Sequence, residues 1–222
     1  MKYGESSFDI IYLLIAIISG FQILTKRKDI LNRLAGLAIL VLGFGDAFHL
    51  VPRVLNYFVE ADFTRYLGVG KLITSLTMTG FYVLLYHFYQ QAYEVKENRK
   101  LTYVIYALAL LRLVICLFPQ NGWLSNESSI LWGILRNIPF VILGVIIVWL
   151  YYVKRQEIQA LKWLWLSVTL SFFFLHPGSR RCFSNSDFGH ADVTEDDLLH
   201  LADLHAEKIS AEMKNVLTDI FI

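Results

Sequence analysis

The 222-residue chain is poor in charge, cysteine and proline: Asp, Glu, Lys and Arg make up 18%, with two Cys and four Pro. So little charge, against a hydrophobic fraction of 56%, excludes a disordered chain and argues against an ordinary soluble globule. Two cysteines, Cys116 in an apolar run and Cys182 in a polar one, build neither a disulfide framework nor a CxxC metal pattern. No Walker loop, GxSxG or HExxH occurs. The N-terminus has no basic n-region or small-residue cleavage site, so its first apolar run reads as a retained helix. No internal repeat is evident, which weakens the case for a secondary transporter.

What the chain has is long apolar runs and 15% aromatics. Five stretches suit transmembrane helices, at about 8–24, 34–57, 66–89, 101–118 and 134–153. They are too long and too unbroken for barrel strands. The expected fold is therefore all-α: a polytopic transmembrane bundle of five secure spans plus a short sixth, Trp163–Leu175. Its 13 residues rise only about 20 Å, short of a bilayer core of roughly 30 Å.

Basic residues set the expected orientation. Ten cations follow spans one, three and five: Lys26, Arg27, Lys28, Arg33, Lys96, Arg99, Lys100, Lys154, Arg155 and Lys162. Three, Lys2, Arg53 and Arg65, lie on the opposite side. That asymmetry puts the N-terminus outside a plasma membrane. Basic loops so placed are a topology signal and imply no nucleic acid; the expected partner is the lipid bilayer. Asn126-Glu127-Ser128 matches a glycosylation acceptor on an outer loop.

Composition changes abruptly after Leu175. Residues 1–175 form the bundle, with 16 basic against 10 acidic residues; residues 176–222 have 4 against 9 and carry four of the six histidines. Two readings stay open. One is a polar acidic tail, helical over about 194–217 behind the helix-start signal Thr194…Asp197. The other is a frameshifted remnant of a seventh span, since the codons of His190–Leu198, read one base out of phase, can encode Met-Leu-Met-Leu-Pro-Lys-Thr-Ile. His200 and His205 are five apart and do not share a helix face, so the tail histidines read as solvated rather than as a metal site.

Ionisable residues at membrane depth are costly and mark candidate sites. In span two, Asp46, His49 and Arg53 recur at helical spacing on one face, with Asn56 extending the stripe. Gly43 and Gly45 allow close helix approach, and Pro52 frees a backbone carbonyl near residue 48. Span three adds Lys71, then Thr74 or Ser75, Met78 and Tyr82; span four adds Arg112; span five adds Arg136 and Asn137, followed by Pro139. Arg53, Lys71, Arg112 and Arg136 all fall in the outer half, and Asp46 is expected to be the sole carboxylate at membrane depth. A cavity so lined, by Asp46, His49, Arg53, Lys71, Arg112 and Arg136, favours an anionic small molecule or lipid headgroup, bound or transported. The competing reading has Arg53 and Arg136 snorkelling to headgroups, with Asp46 and Lys71 as one structural pair. A structural or regulatory membrane partner is a further alternative.

Gly45-Asp46-Ala47-Phe48-His49 resembles a motif of the alkaline ceramidase and adiponectin-receptor hydrolase superfamily. The resemblance implies a metal-dependent, membrane-embedded lipid hydrolase in which a zinc cofactor activates water, with His49 as a metal ligand and Asp46 a polar neighbour. The family's serine, four residues before that histidine, falls at Gly45. Gly-Asp-x-Phe-His-Leu-x-Pro-Arg, at Gly45–Arg53, is also similar to a motif of an uncharacterised group of bacterial seven-helix integral membrane proteins. That similarity supplies a class and no activity.

Overall fold

The computed structural model describes residues 2–26, 29–59, 61–125 and 129–174. Regular structure among the described residues is helical throughout: α1 (Lys2–Lys26), α2 (Ile30–Phe58), α3 (Thr64–Ala92), α4 (Arg99–Leu117), α5 (Ile130–Val153) and α6 (Leu164–Phe174), with short 3-10 turns at Pro119–Asn121 and Gln159–Leu161. Five helices are long and apolar enough to cross a membrane: Ser6–Lys26 within α1, and the whole of α2, α3, α4 and α5. The described part of α6 is 11 residues. The two readings of residues 176–222, and the motif Asn126-Glu127-Ser128, lie outside the described residues.

The apolar runs locate each span, and polar groups at the ends extend the helices beyond them. Asp29 caps α2 by accepting from the Asn32 amide at 3.2 Å, and Asn98 caps α4 by accepting from Leu101 at 3.4 Å. The outward faces are apolar, with Phe8, Ile15, Leu110, Ile130, Leu131 and Trp149 all exposed, as suits side chains that meet hydrocarbon.

α1 packs on α2, α2 on α3, α3 on both α4 and α5, α4 on α5, and α5 on α6. α3 is thus central. Its inward face carries Met78, Tyr82, Leu85, Tyr86 and Tyr89, which meet Phe140, Leu143, Ile147 and Tyr151 of α5 and Ile105 of α4. The Tyr151 hydroxyl donates to the Leu85 carbonyl at 2.8 Å, so this large core side chain keeps its polar end satisfied.

The α1–α2–α3 side packs through small residues instead. Gly43 faces Ala16 and Ile17 of α1, whereas Gly45 faces Thr77 of α3. Two residues apart on a helix means nearly opposite faces, so each glycine serves a different neighbour. Thr74 reinforces the second contact by donating to the Gly45 carbonyl at 2.9 Å. These pairings run α2 antiparallel to α1 and α3. One end of the bundle, the upper end below, therefore collects the starts of α1, α3 and α5 and the finishes of α2 and α4.

Candidate functional site

At 1.5 Å rise per residue, Arg53, Lys71, Arg112 and Arg136 each lie about 7–10 Å from the upper end of their helices, and Asp46 about 18 Å. The four cations come from four helices and share a level.

Asp46 is 5% exposed, and its carboxylate accepts the Tyr12 hydroxyl of α1 at 2.9 Å. No ion pair joins it to Lys71; in place of the structural pair considered from sequence, the carboxylate takes a hydrogen bond from a neutral hydroxyl across α1 and α2. One turn on, His49 lies within electrostatic reach of Lys71 and Arg53, and its Nδ1 is buried without a hydrogen-bond partner among the described residues. Lys71 follows Gly70, whose Cα sits against the Phe48 carbonyl; this close approach holds α3 on the His49 face.

The second part of the site is the junction of α3, α4 and α5. Arg112 of α4 is 4% exposed. Its guanidinium carbon stacks 3.5 Å from the centre of the Phe140 ring, and the Cys116 side chain one turn on is within electrostatic reach of it. Its Nε and Nη1 have no partner among the described residues, and no carboxylate there pairs with it. Tyr82, fully buried, packs edge-on to the other side of the arrangement, its ring 5.0 Å from that of Phe140, and its hydroxyl is likewise unpartnered. Tyr82 and Arg112 act on each other electrostatically.

Arg136 is held differently. Its Nη1 donates to Asn121 Oδ1 at 3.1 Å, and its guanidinium lies 4.5 Å from the Trp123 ring. Asn121 is fully buried, and its Nδ2 donates to the Ile115 carbonyl at 2.8 Å and the Phe118 carbonyl at 3.0 Å. Trp123 Nε1 donates to the Cys116 carbonyl at 2.8 Å. Gly122, at φ 63°, supplies the left-handed turn that brings both side chains back over the helix end. The last carbonyls of α4 are thus satisfied by side chains, and Arg136 sits at the negative end of that helix dipole. Arg136 remains close enough to repel Lys71 and Arg112.

Five of the six candidates therefore form a connected band, Arg53–His49–Lys71–Arg136–Arg112, while Asp46 stands below it with Tyr12. One expectation is corrected: Asp46 is not the sole carboxylate at membrane depth. Asp9 falls within the apolar span of α1, and the Tyr12–Asp46 pairing puts it one turn higher, level with His49. Asp9 was overlooked because it opens the span, where a carboxylate reads as an end group.

Sequence reasoning also missed Tyr12, Asn121 and Trp123. Tyr12 is an isolated tyrosine in an apolar helix and had no signal pointing to α2. Asn121 and Trp123 sit in Pro119-Gln120-Asn121-Gly122-Trp123, whose Asn-Gly dipeptide marks a turn but not what its side chain binds.

A zinc centre needs three or more ligands. Among the described residues, no three His, Cys, Asp or Glu side chains come together. His49 and Asp46 therefore do not make a zinc set by themselves. Gly45 adds a second mismatch, because a Cβ there would strike Thr77, so the packing has no room for the hydrolase family's serine.

No family model matches the chain, and neither a curated protein nor a solved structure matches it.

Proposed function

We propose that the chain is a multi-pass plasma-membrane protein, N-terminus outside, whose outer half binds or transports a small anion or an anionic lipid headgroup. The upper end is then the outer end, and the lining residues are Asp46, His49, Arg53, Lys71, Arg112 and Arg136.

One observation carries the reading: the guanidinium of Arg112 is buried at membrane depth, and among the described residues two of its nitrogens have no partner and no carboxylate lies against it. Burying an unpaired charge costs several kcal/mol even after relaxation. A bound anion offsets that cost; a bundle built only for packing gains nothing from it. Three further cations at the same level deepen the positive potential and steer anions towards the site. Snorkelling accounts for Arg53 and, in part, for Arg136. It does not account for Arg112, which is buried against α3 and α5 rather than turned to the interface.

The test is thermal unfolding of the purified protein in gluconate, with chloride, acetate, phosphate or an anionic lipid added. A bound anion raises Tm in a saturable way, by mass action. The shift shrinks in Arg112→Gln and in Lys71→Gln. If no anion raises Tm, or both variants respond as wild type does, the reading fails.

A further inference from the structure

We infer that the Arg112 site takes a small monovalent anion of the halide class, rather than a phosphate ester or a lipid headgroup. The inference rests on the anion reading above and narrows it.

Three features of the junction point the same way. The first is its polarity. Arg112 Nε and Nη1 are donors, and the Tyr82 hydroxyl has no partner among the described residues. The Ile115 and Cys116 carbonyls at the end of α4 are engaged by Asn121 Nδ2 and Trp123 Nε1. A group of donors with its acceptors occupied suits a ligand that only accepts. A zwitterionic headgroup brings a cation that would find no acceptor, and a phosphate monoester entering as the monoanion brings a proton that would find none.

The second is enclosure. Arg112 is itself buried, its neighbours Tyr82 and Cys116 are fully buried, and Phe140 covers one face of the guanidinium. A spherical ion a few ångströms across displaces fewer of these side chains than a headgroup does. A headgroup tethered to acyl chains needs helices α4 and α5 to part.

The third is charge. One buried guanidinium is balanced by one negative charge. The other arginine within reach, Arg136, is already engaged by Asn121, Trp123 and the end of α4. A dianion would surrender a far larger hydration energy on entry than a monovalent ion. Weakly hydrated ions lose least.

Iodide quenching of tryptophan fluorescence reads this directly, since Trp123 stacks on Arg136 at the rim of the site. The full-length protein in gluconate is titrated with iodide. A saturable component is expected on top of the linear collisional one, and Trp123→Phe assigns it. Chloride should displace it, and glycerol 3-phosphate should not. Arg112→Gln should abolish it. Should that variant fail to fold, Tyr82→Phe keeps the ring packing and weakens iodide about tenfold, the effect of one hydrogen bond to a charged group. Purely linear quenching, or saturation unchanged in Arg112→Gln and Tyr82→Phe, overturns the inference. Displacement by glycerol 3-phosphate but not by chloride also overturns it and leaves the broader anion reading standing; loss of every anion-dependent Tm shift sinks both.

Discussion

The backbone carbonyl of Phe48 in α2 lies directly against Gly70 in α3, and it is the same carbonyl that Pro52 leaves without an intrahelical donor. Proline removes the amide that would have bonded four residues back. Glycine lets the neighbouring helix come close enough for its Cα hydrogens to approach the freed oxygen. The contact fixes the level of Lys71 relative to His49, and so sets half of the cationic band.

That relationship predicts a contrast within one helix. A Cβ at Gly70 meets backbone, which cannot rotate away, whereas a Cβ at Gly80 meets nothing within 4 Å. Gly70→Ala should destabilise the protein by roughly 1–3 kcal/mol, the cost of overpacking. Gly80→Ala should be neutral or stabilising by up to about 1 kcal/mol, the helix propensity difference. Equal Tm values for the two variants would show that α2 and α3 do not approach as described.

Replacing Arg112 by an apolar residue of similar length should stabilise the protein where no anion is present. Arg112→Met removes a buried charge that no described carboxylate balances and keeps contact with Phe140. By analogy with buried ion pairs replaced by hydrophobic groups, the gain in gluconate is about 1–4 kcal/mol. In saturating chloride, wild type should recover most of the difference. A variant less stable than wild type in gluconate would mean the charge is already compensated.

The Tyr12–Asp46 hydrogen bond is expected to couple α1 to α2 modestly. Interhelical hydrogen bonds in membrane proteins average about 0.6 kcal/mol, with an upper value near 1.7. A cycle of Tyr12→Phe, Asp46→Asn and the double variant should return a coupling energy in that range. Additive effects would indicate that the hydroxyl does not reach the carboxylate.

At the upper end, Asp62 caps the start of α3 from the exposed loop, accepting the Thr64 amide at 2.9 Å. Hydrogen bonds from the Thr64 side chain and backbone hold its carboxyl below the usual range, and Arg65 adds to this. A depressed folded pKa means the cap stabilises at pH above the ordinary carboxylate value of about 4, and is lost as pH falls through the lower folded value. The Thr64 amide resonance should titrate with a midpoint below that of a free aspartate, and Asp62→Ala should remove the titration. A midpoint at the free-aspartate value would remove the cap.

Much of this was legible in the residues. Five apolar runs predicted five long helices, because about 20 mostly apolar residues have few alternatives to crossing a bilayer. The Asp46, His49, Arg53 stripe follows from helical spacing alone, and Gly43 and Gly45 do bring neighbours close. What could not be read is which neighbour each residue meets. Tyr12 finds Asp46, and Asn121 finds Arg136, only once three antiparallel helices are stacked in register. The stacking of Arg112 on Phe140 is equally a product of packing, since the two are 28 positions apart on different helices.

The account stands most directly on what lies beside Arg112. Crystals of the full-length protein grown in gluconate and soaked in bromide would show this by anomalous diffraction at the bromine edge. The account predicts a peak within hydrogen-bonding distance of Arg112 and the Tyr82 hydroxyl, absent from Arg112→Gln crystals. Bromide found only at exposed cations such as Lys154 and Arg155, with none at the α3–α4–α5 junction, would contradict it.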